Sequence, residues 1–168
     1  PQLVEFTFPS PYTLENGVHY VLVIEFSGGN GTNFVSVGMD VSNSSHPGNQ
    51  ARYYPDPWTY FPVKGFDFIF YAISDTPRSP EIIDFYPESH YSNYDSLYAG
   101  YATRIGQAFT GDGRPLNKAK FWLSRFDYLD IHSPSGNCYA KLYAETHSQG
   151  FGVDSKATGD PLATSDPI

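Results

Sequence analysis

Val18-His-Tyr-Val-Leu-Val-Ile-Glu-Phe26 alternates with a period of two. Val18, Tyr20, Leu22, Ile24 and Phe26 fall on one side of an extended chain, and His19, Val21, Val23 and Glu25 on the other. The density of Val, Ile and aromatic residues favours a strand over a helix. The second side is itself half apolar, so this strand is expected near the middle of a sheet, with cover on both faces.

The same period recurs along the chain. Phe66-Asp-Phe-Ile-Phe-Tyr71 puts Phe66, Phe68 and Phe70 on one side, and Lys120-Phe-Trp-Leu-Ser-Arg125 and Tyr139-Ala-Lys-Leu-Tyr-Ala-Glu145 repeat the pattern. Leu3 to Phe8 and Asn33 to Val37 are shorter candidates. Leu22, Ile24, Phe68, Leu123 and Leu142 are expected in the core. Between the runs lie the turn clusters Leu14-Glu-Asn-Gly17, Ser27-Gly-Gly-Asn-Gly31, Gly111-Asp-Gly113 and Ser133-Pro-Ser-Gly136. Many short strands with such punctuation predict an all-β chain folded as a two-sheet antiparallel β-sandwich or jelly roll.

Composition agrees. Charged residues make up 17% of the 168, below the roughly 25% of ordinary globular domains, and 14 Tyr, 13 Phe, 15 Gly and 14 Pro take their place. The length suits one core. A net charge of −8 with ten scattered basic residues argues against nucleic acid as a partner. The absence of any apolar run of about 18 residues argues against membrane insertion. The single cysteine, Cys138, excludes an internal disulfide framework. Low charge with abundant Tyr, Asn, Thr and Gly predicts an extracellular or cell-surface protein. The start at Pro1, without an initiator Met or a leader, predicts a processed or excised segment.

Asp75-Thr-Pro-Arg-Ser-Pro80 has two prolines and no apolar period. It reads as a linker over 76–80, separating 1–75 from 81–168, or else as a long loop within one sandwich.

Four segments of the second half carry a resemblance: Ile105-Gly-Gln-Ala-Phe-Thr-Gly-Asp-Gly113, Leu116-Asn-Lys-Ala-Lys-Phe-Trp-Leu123, Gly136-Asn-Cys-Tyr-Ala-Lys-Leu-Tyr-Ala144 and Gly159-Asp-Pro-Leu-Ala-Thr-Ser-Asp166. Together they resemble the front half of secreted bacterial jelly-roll repeats, which occur in large surface, anchor and phage-tail-like proteins. Leu14 to Gly29, Asn33 to Gly38 and His46-Pro-Gly-Asn49 resemble the back half of the same repeats. The resemblance implies a jelly-roll module with its halves in permuted order. Such a chain is a circular permutant, a cut from a tandem array, or a subunit completed by its neighbour. The last two predict strand complementation between copies, giving a head-to-tail filament or array. The first predicts a monomer with Pro1 and Ile168 adjacent.

For chemistry, Asp84, Glu88, Asp127 and Asp130 are available as glycosidase carboxylates, but no spacing places two of them in one cleft. No Gly-x-Ser-x-Gly occurs, the five His are dispersed, and no His or Cys pair has zinc-like spacing. Cys138, within a strand run, reads as a small buried hydrophobe. Structural calcium is the one cofactor with candidates: Asp40 in a loop and Asp112 in a Gly-Asp-Gly turn, where each carboxylate alternatively bonds local backbone.

Aromatic platforms offer the best route to a ligand, because sugar C–H faces stack on rings. Arg52-Tyr-Tyr-Pro-Asp-Pro-Trp-Thr-Tyr-Phe61 supplies Tyr53, Tyr54, Trp58 and Tyr60 as candidate binding residues. Phe85, Tyr86, His90, Tyr91, Tyr94, Tyr98 and Tyr101 form a second cluster; either set alternatively fills sandwich edges or a module interface. The expectation is a non-catalytic structural or adhesive module of a fibre or surface protein, with other copies or tandem repeats as partners. A carbohydrate-binding module for polysaccharide comes second and a glycoside hydrolase third.

Overall fold

The computed structural model describes residues 1–42, 44–53, 58–60, 65–76, 79–127 and 134–168; the side chains of 58–60, 76, 79 and 127 lie outside the description. In chain order the strands are β1 (Gln2–Thr13), β2 (His19–Phe26), β3 (Asn33–Asp40), β4 (Gln50–Tyr53), β5 (Trp58–Tyr60), β6 (Asp67–Phe68), β7 (Phe70–Thr76), β8 (Ser79–Tyr86), β9 (Asn93–Leu97), β10 (Arg104–Thr110), β11 (Pro115–Asp127), β12 (Cys138–Thr146) and β13 (Lys156–Thr164). A single turn of 3₁₀ helix, Glu88–His90, interrupts them.

The strands form two antiparallel sheets packed as a sandwich. One sheet has six strands in the order β13-β12-β2-β10-β4-β5. The other has seven, with β11 at its centre: β1 lies along one edge of β11, while β7 and β3 share the other. The chain switches partner at Ile69. Its N–H donates to Gly38 O (3.0 Å) and its carbonyl accepts from Trp122 N (3.3 Å), so β6 continues β3's ladder and β7 continues β11's.

β2 occupies the central position that its two-sided apolar pattern predicts. Tyr20, Leu22, Ile24 and Phe26 face the main core with Ile105, Phe109 and Leu142 of the same sheet and Phe6, Val37, Phe68, Phe70, Phe121 and Leu123 of the other. Each such side chain contributes roughly 1.5–3 kcal/mol of burial. Val21 and Val23 face outward into a second cluster with Ala108, Tyr143 and Ala157, over which Phe151 packs. Residues 147–155 strap this outer face: Asn49 Nδ2 donates to Ser155 O (3.1 Å) and Ser155 N donates to Asn49 Oδ1 (3.0 Å). Val18, read as the first residue of this strand, stands just before it and is exposed.

Within 76–80, where a linker was the leading sequence reading, the described residues are paired strand: Asp75 pairs with Pro80 and Thr76 with Ser79, while 77–78 lie outside the described residues. Among the described residues β8 is an edge strand beside β7, the position in a sheet where proline is tolerated. The segments 1–75 and 81–168 interleave in both sheets, for example through β2 between β10 and β12, and these pairings lie within one chain. Pro1 and Ile168 line the same cleft. Ile168 and Cys138 exchange two backbone hydrogen bonds (2.9 and 3.1 Å), and Asp166 N donates across to Thr7 O (3.0 Å). The chain thus completes its own sandwich, and the open half-sandwiches from which filament assembly was expected are paired here.

Candidate ligand-binding faces

The aromatic loop of the sequence lies at one edge of the six-stranded sheet. Tyr53 ends β4, and β5 places Trp58 opposite it and Tyr60 opposite Ala51. Tyr54 lies outside the described residues. A cross-strand row runs inward from this edge: Trp58, Tyr53, Arg104, Glu25 and Tyr139 are successive register partners on β5, β4, β10, β2 and β12. The Arg104 guanidinium lies 4.8 Å from the centroid of the Tyr53 ring, and Arg104 Nε pairs with Glu25 Oε2 at 2.6 Å. Lys141 donates to Glu25 Oε1 (2.9 Å) and sits over Tyr139. Tyr53 is therefore half-buried beside an ion-pair ladder, with the Arg104 guanidinium over its ring.

The carboxylates considered for calcium are both engaged. Asp40 accepts from Ser42 N (2.8 Å), Ser42 Oγ (2.6 Å), Ser92 Oγ (3.0 Å) and Tyr86 Oη (2.7 Å). Burial opposes its charge, but these donors outweigh burial and bring its pKa down to about 2. Asp112 accepts from Arg114 N (3.0 Å) and Arg114 Nε (2.6 Å). Among the described residues no group of three or more His, Cys, Asp or Glu is placed to hold a metal.

Of the glycosidase candidates, Glu88 accepts from Tyr71 Oη (2.6 Å) and Asp84 pairs with His46, while the Asp127 side chain and Asp130 lie outside the description. His46 belongs to a network that joins the sheets. Its Nδ1 faces two donors, Gly48 N (3.0 Å) and Gln107 Nε2 (3.3 Å), so the pattern assigns its proton to Nε2, which donates to Asp84 Oδ1 (3.2 Å). Gln107 Nε2 also donates to Asp67 Oδ1 (2.6 Å), and Gln107 Oε1 accepts from Phe68 N (2.9 Å). Burial pushes the Asp67 carboxyl up to about 6 against the pull of His46 and Gln107. A cavity of about 310 Å³ opens beside His46, walled by Phe66, Phe151 and Val153. Among the described residues the carboxyl and imidazole groups of this network face amide and ring donors, with no hydroxyl or thiol hydrogen-bonded to His46.

The outer face of the seven-stranded sheet is the stronger surface. Tyr91, Tyr94, Trp122 and Phe126 wall a shallow cleft of about 140 Å³, floored by Ser36, Gly38 and Ser124. Gly38 makes room for it: a Cβ there would stand 2.4 Å from Trp122 Cδ1 and 3.1 Å from Tyr91 Cδ2. Tyr91, Tyr94 and Phe126 are 42%, 46% and 39% exposed, so three of the four walls present ring area to solvent. The stack continues sideways, with Phe126 on Phe34 (4.6 Å between centroids), Phe34 near Tyr98, and Tyr98 on Tyr101 (5.2 Å). The sequence cluster contained Tyr91, Tyr94, Tyr98 and Tyr101. It missed Trp122, Phe126 and Phe34, which come from strands distant in sequence. The legible signal was that Lys120 to Arg125 has aromatic residues in both registers, Phe121 inward and Trp122 outward. Tyr86 of the same cluster is buried, and its hydroxyl is committed to Asp40.

Comparison with family models, with curated proteins and with solved structures gives no match to this chain.

Proposed function

We propose that this chain is a non-catalytic adhesive module of an extracellular surface or fibre protein, and that its adhesive contact is a saccharide chain laid across the Tyr91–Tyr94–Trp122–Phe126 cleft. The supporting observation is the display of these rings around a glycine and serine floor on a rigid sheet. Pyranose C–H faces would stack on the rings, and Ser36 and Ser124 would meet hydroxyls. Contiguous exposed aromatic area on a monomeric fold marks an interaction site. Displaying it on strands keeps the geometry fixed, so little ordering entropy is lost on binding.

A purely structural repeat, packing against other copies or tandem neighbours, is the second reading, favoured by the resemblance to jelly-roll repeats. An array of immobilised polysaccharides separates the two. Saturable retention of the intact chain on at least one glycan, without release of reducing ends, supports the adhesive reading. No retention on any glycan, with concentration-dependent self-association, supports the structural one. Turnover of a retained polysaccharide would sink both.

A further inference from the structure

A further cleft lies between the two sheets at the end where Pro1 and Ile168 meet, bordering the aromatic face through Pro1 and Ser124. It has a volume of about 570 Å³. Its walls are inner-face residues, Val4, Phe26, Val35, Leu123 and Cys138, with Arg125 beside them. β11 explains the arginine's position. Phe121 and Leu123 point into the core, and Arg125 is the next residue on that side, in register with Val35 of β3. Alternation therefore directs a guanidinium toward a space that the preceding residues fill with hydrocarbon.

That guanidinium is spare. Among the described residues, Arg52 pairs with Asp95, Arg104 and Lys141 with Glu25, Arg114 with Asp112 and Glu81, Lys118 with Glu5 and Asp75, and Lys120 with Glu5. Arg125 and Lys156 have no acidic partner among the described residues, and Arg125 lines the cleft. Arg125 is exposed, and its guanidinium at the cleft is available to an anion from outside.

We propose that this cleft is a binding site for a linear aliphatic carboxylate, its head group held by Arg125 and its chain lying between Val4, Phe26, Val35, Leu123 and Cys138. The volume falls within the range of small-molecule sites, and the lining combines apolar walls with a few polar side chains, Gln2, Ser124 and Arg125. The carboxylate matches the guanidinium as a bidentate, charge-assisted acceptor. A bare inorganic anion would leave the walls unfilled. The site borders the saccharide cleft through Pro1 and Ser124, while Arg125 and the apolar walls lie outside that cleft.

The experiment uses the intact chain with dodecanoate, dodecanol and inorganic phosphate as probes, all below micelle-forming concentration. Calorimetry gives affinity, and alkylation of the single cysteine reports occupancy, because Cys138 lines the cleft and is the one thiol in the sequence. Dodecanoate is expected to bind saturably and slow Cys138 alkylation, with affinity rising about fourfold per methylene from octanoate to dodecanoate. Phosphate is expected to do neither. Arg125→Gln should weaken dodecanoate about tenfold and leave dodecanol unchanged, as loss of one charge-assisted contact predicts. Val4→Trp, which fills the cleft, should abolish both while the urea midpoint stays near that of the parent. Equal dodecanoate affinity in the parent and Arg125→Gln would overturn the proposal. So would protection of Cys138 by phosphate alone, or self-association of the chain that dodecanoate does not reverse.

Discussion

Asp40 and Asp67 are register partners on β3 and β6, yet their carboxyl groups are displaced in opposite directions. Asp40 is surrounded by hydroxyl and amide donors and titrates near 2. Asp67 is fully buried, has Asp40 as a like-charged neighbour, and titrates near 6. One strand pair therefore carries a permanently ionised carboxylate beside one whose charge folding disfavours.

Asp67→Asn is expected to flatten the pH dependence of stability between pH 4 and pH 6. The folded pKa lies above the ordinary 3.8, so the folded chain holds a proton there that the unfolded chain releases. Stability from this group is complete below the window and is lost as pH rises through it, by up to about 3 kcal/mol at about 1.4 kcal/mol per unit. Urea midpoints at pH 4.5 and pH 7 measure the slope. Identical slopes in the parent and the variant would show that Asp67 is not the titrating group.

Asp40→Asn should behave in the opposite sense. A folded pKa depressed to about 2 contributes stability that is present above 3.8 and is lost as pH falls toward 2. The variant is expected to lose about 2 kcal/mol at pH 7 and far less near pH 2, because the asparagine amide cannot serve the four donors that the carboxylate accepts. A loss independent of pH would point to packing instead.

Arg52 and Asp95 form an ion pair across the sandwich, both almost fully buried. Asp95→Ala strands the guanidinium and is expected to cost about 3–5 kcal/mol, whereas Arg52→Met with Asp95→Leu should recover most of that loss. Burial raises the Asp95 pKa despite the pull of Arg52, which shows how much desolvation the pair carries. Chemical denaturation of the three proteins decides the matter, and a double variant weaker than Asp95→Ala would contradict the argument.

Gly38→Ala should displace the Trp122 ring, because the new Cβ would lie 2.4 Å from it. A cost of about 1–3 kcal/mol and an altered near-UV circular dichroism band are expected. An unchanged band would mean that the ring does not rest on Gly38.

The two-sided pattern of β2 announced its central position, and the period-2 runs at 66–71, 120–125 and 139–145 appear in β6 with β7, β11 and β12, with Leu22, Ile24, Phe68, Leu123 and Leu142 buried. The partner switch at Ile69 was not legible. Phe66 to Tyr71 has one unbroken alternation, and only the divergence of β3 and β11 breaks it into two ladders. The pairing of Asp75 with Pro80 and of Thr76 with Ser79 was hidden by the two prolines in the sequence, which read as a break unless the strand is known to be an edge. Trp122 and Phe126 were hidden for a different reason. Each looks like one more aromatic residue in a strand until register sets them beside Tyr91 and Tyr94, which is a non-local fact.

The central claim is tested most directly by titrating a retained glycan against the parent chain, Trp122→Ala and Tyr53→Ala. Loss of a stacking wall should weaken binding at least tenfold in Trp122→Ala and leave Tyr53→Ala within about twofold of the parent. The reverse pattern, with Tyr53→Ala losing affinity and Trp122→Ala retaining it, would move the site to the β4–β5 edge and contradict the account.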